Sequence, residues 1–246
     1  MTFADEFAGF IDARGIACSR EDLLFSFPDR GIAVRLVPLE GFERPERTPG
    51  TIYLYEDRWR AAGPYIRERT LAHLGFYRKI FARKCDIKRI DAVEAARFLE
   101  LHHSYGTAKA KYKYGMFLGD ELVAVSLFSS PRTIPRDIDG RRLPLRSFEW
   151  VRYASLSSSR ISGGMSRMLA RFVEDNDPDE VMTYADLEWS EGTVYVRMGF
   201  HEAGVREPVT FWVNPETFAR ERTADCGGIK ITNFGSLKYL KQYIKP

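Results

Sequence analysis

The stretch Arg160-Ile161-Ser162-Gly163-Gly164-Met165 sets two glycines at the head of an amphipathic segment. A helix N-terminus offers free N–H groups and a partial positive charge, which suits a phosphate. Glycine lets a ligand come close to the backbone. Arg160, Ser162, Gly163 and Gly164 are therefore candidates to hold a pyrophosphate, with a plain structural turn as the competing reading. His103 is a candidate proton carrier near neutral pH. Asp186, at the end of a strand, is placed to take a proton from an amine or to orient a base edge; the alternative is a carboxylate that caps the next turn. Tyr184 and Trp189 have the faces to stack on a base, or else belong to a core. Ser190 suits a helix cap as well as a substrate contact. Glu149 and Arg152 share a strand, and the side-chain period of two puts them on opposite faces unless a bulge intervenes. Arg152 is the one expected to meet an anion. No His, Cys, Asp or Glu cluster has clear metal-ligand spacing.

These residues need a frame. Apolar spacing predicts a helix over 4–13, two strands in "LLFSFP" and "GIAVRLVPL" joined at Pro28–Gly31, a strand at 51–56 and a helix over 60–74 with Pro64 near its start. "FYRKIFARKCDIKRI" contains one or two short strands. A helix follows over 91–103, with Ala92, Ala95, Ala96 and Leu99 on one face. "YKYGMFLGDELVAVSLFSS" reads as a hairpin turning at Gly119–Asp120. "RSFEWVRYASL" is a strand, 164–175 a helix, "EVMTYADLE" a strand, "SEGTVYVRMGF" a short helix ending at Gly199, and "VTFWVN" a strand. The expected fold class is α+β: a mixed, mostly antiparallel sheet flanked by helices over 86–246, preceded by a small α/β module over 1–85.

The 246 residues are 44% hydrophobic and 29% charged, ordinary for a globular chain. No apolar run is long enough to cross a membrane. The opening "MTFADEFAGFIDARG" lacks the basic start and apolar centre of a signal peptide. Cys18, Cys85 and Cys226 are widely spaced, which fits a reducing cytoplasm better than a disulfide framework. The formal charge is only +3, but from 132 to 171 every base is an arginine, opposed there by Asp137, Asp139 and Glu149. Lys109 and Lys111 sit among Tyr105, Tyr112 and Tyr114. Such a distribution suits a phosphate backbone, so DNA is an expected partner; a solvated basic surface is the plain alternative.

The glycine stretch resembles the R/Q-x-x-G-x-G/A loop of the GNAT acyltransferase superfamily, and Tyr195-Val196-Arg197-Met198-Gly199-Phe200 resembles that superfamily's Y-x-x-x-G-F. The resemblance spans roughly 88–214. It implies acetyl-CoA or another acyl-CoA on the glycine loop and Tyr195 as the acid that protonates the departing thiolate. Met165 departs from the pattern, because a tiny residue is expected there and a bulky one would obstruct the cofactor. A narrower resemblance is to phage-encoded Mom-like, homing-endonuclease-associated GNAT-like domains. It is carried by His103-Ser104-Tyr105-Gly106, Ser162-Gly163-Gly164, Thr183-Tyr184-Ala185-Asp186 and Trp189-Ser190-Glu191-Gly192. That likeness implies a cytoplasmic enzyme modifying a nucleobase in phage DNA, with His103 and Asp186 handling protons and Arg152, Tyr184, Trp189, Ser190, Lys109 and Lys111 on the substrate. The "TIYLYEDRW" segment resembles part of a restriction-endonuclease-like domain. Leu24 and Arg35 fall where its two metal-binding acids would be, which implies a nuclease-like remnant without cleavage activity. A non-catalytic DNA-binding remnant and an ordinary acetyl-CoA-dependent amine N-acetyltransferase are the two alternatives.

Overall fold

A computed structural model describes residues 2–224 and 227–243, so Cys226 lies outside the described residues. In chain order the elements are α1 (Phe3–Asp12), β1 (Ser19–Glu21), β2 (Leu24–Phe27), β3 (Ile32–Val37), β4 (Thr51–Tyr55), α2 (Glu56–Ala61), α3 (Gly63–His73), β5 (Arg78–Phe81), β6 (Asp86–Arg89), α4 (Ala92–His102), β7 (Tyr112–Leu118) and β8 (Glu121–Phe128). Then follow β9 (Arg132–Ile138), β10 (Arg141–Ser155), β11 (Ser159–Ser162), α5 (Gly164–Asn176), β12 (Glu180–Asp186), α6 (Thr193–Arg197), β13 (His201–Arg206), β14 (Thr210–Val213), β15 (Arg220–Glu221), β16 (Ile229–Thr232) and β17 (Ser236–Gln242). The class is α+β, with mostly antiparallel sheets flanked by helices. No described helix is long and apolar enough to cross a membrane.

The chain divides into two compact units, each assembled from separated stretches. The first holds Met1–Gly75, Ala185–Gly192 and Val205–Leu237; the second holds Phe76–Tyr184, Thr193–Gly204 and Lys238–Pro246. The sequence predicts a single boundary at 85/86. The difference arises because two later stretches carry apolar side chains that are buried in the first unit.

In the first unit β1, β2 and β3 form an antiparallel meander and β4 adds parallel to β3. Helix α1 is started by a capping box between Thr2 and Asp5. Its Phe3, Phe7 and Ile11 bury against Phe25, Phe27, Val34, Leu36, Ile52 and Leu54 on one face of the sheet, with Trp59 of α2. The other face carries Val37, Tyr53 and Tyr55 against Phe211, Val213, Ile231 and Phe234, brought by the small β15-β14-β16 sheet and the turn after it. Alternation along β4 therefore feeds two cores, and all five of its residues are buried.

The second unit is built on the eight-stranded sheet, whose order is β13-β17-β12-β10-β8-β7-β6, with β9 attached to β10. Helix α4, capped by the Asp91 carboxylate on the Glu94 N–H, packs Ala95, Phe98 and Leu99 on Val125, Leu127 and Ala154. Helix α5 covers the opposite face. Its Phe172 stacks on Phe128 of β8 at 3.8 Å and meets Phe148 of β10 edge-on. The odd and even residues of β8 thus face different helices, which fixes the register of the sheet.

Candidate functional site

Strands β10 and β12 are parallel neighbours joined through β11 and α5. Their ladder runs for only three pairs, Ser147–Glu180, Phe148–Val181 and Glu149–Met182. Beyond it β10 turns its pairing to β8, and the Thr183 hydroxyl donates to the Trp150 carbonyl at 3.1 Å. The β8 register shifts between Trp150 and Arg152, so Val151 is an extra residue, a bulge. The side chains record the offset. Trp150 and Tyr153, three positions apart, lie on one face with ring centroids 6.0 Å apart. Val151 and Ala154 pack on the α4 side. The bulge is the exception to the period of two, so Glu149 and Arg152 both fall on the side away from Trp150 and Tyr153.

Arg152 is half-buried. Its Nη1 donates to the Val151 carbonyl at 2.9 Å, its Nε reaches the Gly106 carbonyl at 3.4 Å, and its guanidinium lies 5.9 Å from the Tyr105 ring. Burial pulls its pKa down, while Tyr105 and the Glu149 charge oppose that shift. Glu149 is also half-buried, and its backbone is fixed by an N–H donated to Ser129 Oγ at 2.9 Å. His103 closes α4, and its Nδ1 accepts the Tyr105 N–H at 3.1 Å, which holds the imidazole beside the Tyr105–Gly106 turn. The H-x-x-G segment thus shapes the wall on which Arg152 rests.

Tyr195 of α6 packs its ring on Trp150 at 6.2 Å and on Tyr239 at 5.4 Å. Burial pushes its hydroxyl pKa up, against a hydrogen bond with Thr183. It therefore sits beside the residues where the β10–β12 ladder ends, and keeps its proton at neutral pH.

The head of α5 divides the glycine pair into two roles. Gly163 is the N-cap at φ 77°, a left-handed backbone that favours glycine, and no side chain caps the helix. The first turn holds no acidic residue, and Arg160, Ser162 and Gly163 are exposed. These features fit an anion such as a phosphate. Gly164 is buried, and a Cβ there would stand 2.6 Å from Tyr153 Oη and 3.0 Å from Ile161. Its glycine is demanded by internal packing, not by an approaching ligand. Met165 is half-buried. Behind this turn β11 pairs in parallel with β5, and the Arg167 guanidinium donates to the carbonyls of Ala82 and Cys85.

Other sequence candidates fall elsewhere. Asp186, Trp189 and Ser190 belong to the first unit. Asp186 Oδ1 accepts the Glu188 N–H at 3.0 Å, the turn-capping arrangement. Trp189 is only 5% exposed, with Arg69 4.0 Å above its ring and His73 5.5 Å away. Its indole is core, closed to an incoming base, because the W-S-x-G turn folds onto α3. Ser190 Oγ accepts the Gly192 N–H at 2.9 Å. Tyr184 is half-buried on β12, and Lys109 and Lys111 are exposed before β7. Leu24 and Arg35 are direct partners in the β2–β3 ladder. Both line an open groove of about 620 Å³, bordered also by Pro45, Glu46, Thr48 and Pro49. Among the described residues no group of three or more His, Cys, Asp or Glu is arranged to hold a metal ion.

One charged constellation gave no signal in the sequence. Arg220, 3% exposed, binds Asp57 at 2.6 Å through Nε and Glu188 at 2.7 Å through Nη1. Burial pushes the Glu188 carboxyl up to about 7, against the pull of Arg220.

No protein-family model matches the sequence, and no curated protein does. Among solved structures, the chain is similar to a GNAT family acetyltransferase from Elizabethkingia anophelis with acetyl-CoA bound, at a TM-score of 0.42 and 10% identity, over 65% of this chain and 99% of that one. A Drosophila melanogaster polyamine N-acetyltransferase gives 0.42 and 10%, over 65% and 100%. The ribosomal-protein-S18-alanine N-acetyltransferase of Escherichia coli gives 0.40 and 10%, over 66% and 96%.

Proposed function

We propose that the second unit is a GNAT-like transferase that moves an acyl group from an acyl-CoA to an amine, and that the amine belongs to a nucleobase of DNA. The observation that carries the chemistry is the bulge at Val151, which sets Glu149 and Arg152 on one face of β10 where β12 departs. The motifs around Gly163 and Tyr195 support the same reading. When bound, an acyl-CoA supplies an activated thioester. The uncapped start of α5, with Arg160, Ser162 and Gly163, would hold its phosphates.

The chain's own residues divide the remaining work. Glu149 takes the proton of the amine, directly or through one water. Arg152 is paired with two backbone carbonyls and, among the described residues, with no carboxylate. It is therefore available to a phosphate of the acceptor. Tyr195 holds a proton at Oη for the departing sulfur, and its raised pKa keeps that proton in place until then. His103 positions the Tyr105–Gly106 turn under Arg152.

The test is transfer of labelled acetyl from acetyl-CoA, with duplex DNA and, separately, a polyamine as acceptors, followed by mass spectrometry of the digested nucleosides. An acylated nucleoside that disappears with Glu149→Gln supports the reading. Acylation of the polyamine alone favours the ordinary amine transferase. DNA binding without transfer to either acceptor favours a non-catalytic remnant.

A further inference from the structure

Among the described residues, neither strand pairs with a third strand between the tip of the β9–β10 hairpin and Ser147, and at the foot Arg146 exchanges hydrogen bonds with Asp179. β9 pairs with β10 alone, and β12 joins β10 only at Ser147–Glu149. Residues 132–146 therefore form a two-stranded ribbon of seven residue pairs counting Ser147, about 23 Å long. Asp139 and Gly140, at φ 48° and 74°, make the two-residue turn at its tip. The ribbon contains five arginines and two aspartates, a charge of +3, equal to the formal net charge of the whole chain.

Two of the arginines fix the stem. Arg136 binds the wholly buried Glu180 through two hydrogen bonds, at 2.9 and 3.0 Å. Burial pushes the Glu180 carboxyl up, but Arg136, Ser147 and the Lys238 charge outweigh it and hold it low. Arg146 donates to the carbonyls of Asn176 and Asp177 at the end of α5, where a cation is favoured. The other three, Arg132, Arg141 and Arg142, are exposed, and none forms an ion pair among the described residues. The register distributes them around the ribbon. Arg132 and Arg141 share one face with Ile138 and Leu143, and Arg142 lies on the other, opposite Asp137.

The edges argue against a β-strand partner. Pro135 and Pro144 stand directly opposite one another, so at that level neither strand has an N–H to offer. A flat acidic protein surface would be met by charge on one face. Charge on both faces of a narrow ribbon matches a groove walled by phosphates on both sides. The major groove of B-DNA, about 12 Å wide, admits a two-stranded ribbon.

We propose that the β9–β10 ribbon enters the major groove of duplex DNA, with Arg132, Arg141 and Arg142 on its phosphates. This rests on the nucleic-acid half of the proposed function and not on the transfer chemistry. The test is fluorescence anisotropy of a labelled 24-base-pair duplex against the full chain and its Arg132→Gln/Arg141→Gln/Arg142→Gln variant, from 50 to 300 mM salt. The variant should bind roughly tenfold or more weakly at low salt, with a log–log salt slope shallower by about 3. Equal affinity and slope would overturn the ribbon's role while leaving DNA binding intact. No binding by the unchanged chain at 50 mM salt would overturn the DNA reading itself. Displacement of the duplex by polyglutamate as readily as by unlabelled duplex would reduce the ribbon to a general polyanion surface and overturn the proposal. Should the triple variant melt early, the single tip variants Arg141→Gln and Arg142→Gln, each expected to lower the slope by about 1, carry the same test.

Discussion

Glu149 and Arg152 lie on the same side of β10 because Val151 is an extra residue between them, and the Glu149 charge is felt at the Arg152 guanidinium. A carboxylate and a guanidinium are thus placed on one side of a rigid strand, as the proposed transfer requires. Glu149→Gln should lower kcat about 10²- to 10⁴-fold, the usual contribution of a positioned base, with KM for acyl-CoA unchanged. Steady-state kinetics with a responsive acceptor checks it; a kcat within a few-fold of the unchanged chain removes Glu149 from the chemistry.

Tyr195 touches Trp150, Phe200 and Tyr239 through its ring, contacts that a phenylalanine keeps. Tyr195→Phe should lower the melting temperature only modestly, by the lost Thr183 hydrogen bond, and reduce kcat about 10²-fold if its proton goes to the departing sulfur. A large fall in melting temperature with little change in kcat would assign Tyr195 to packing.

Gly164 and Tyr153 fill one space between them. Gly164→Ala should destabilise the chain by about 1–3 kcal/mol, because the new Cβ meets the Tyr153 hydroxyl and Ile161. Tyr153→Phe removes the oxygen that stands 2.6 Å away, so the double variant should recover part of the loss. Strict additivity in a double-mutant cycle of urea unfolding would contradict this packing.

Arg220 neutralises two buried carboxylates, Asp57 and Glu188. Arg220→Met should cost about 3–5 kcal/mol above pH 7, where both are charged and would be left uncompensated. Glu188, held near 7 in the folded chain, releases its proton near 4.3 when unfolded. Between those values the folded chain binds a proton that the unfolded chain does not, so this group lowers stability as pH rises through that window. Glu188→Gln should flatten the decline between pH 5 and 7.5 in urea titrations. An unchanged slope in the variant would place the titrating group elsewhere.

The regular elements were legible where periodicity was undisturbed. Helix α5, the β7–β8 hairpin and the strand containing Phe148 follow the spacing of their apolar residues. The ribbon was not, because Pro135, Pro144 and the dense arginines hide its strands from a propensity reading. The bulge was equally hidden. Phe148-Glu149-Trp150-Val151-Arg152-Tyr153 gives no local mark of it, and only the pairing with β8 creates the extra residue. Asp57, Glu188 and Arg220 are brought together from segments far apart in the chain, so no spacing rule finds them. The sequence leaves Trp189 open between a stacking face and a core aromatic, since the motif carries no information on what packs over the indole, and in the fold it is core.

The proposed transfer requires an acyl-CoA at the head of α5. Its most direct test is the melting temperature of the full chain titrated with acetyl-CoA. Binding to the native state should raise it in a saturable way, by the equivalent of about 2.7 kcal/mol at a hundred times Kd, and Arg160→Ala should weaken the response. No shift at millimolar acetyl-CoA would contradict the transferase reading.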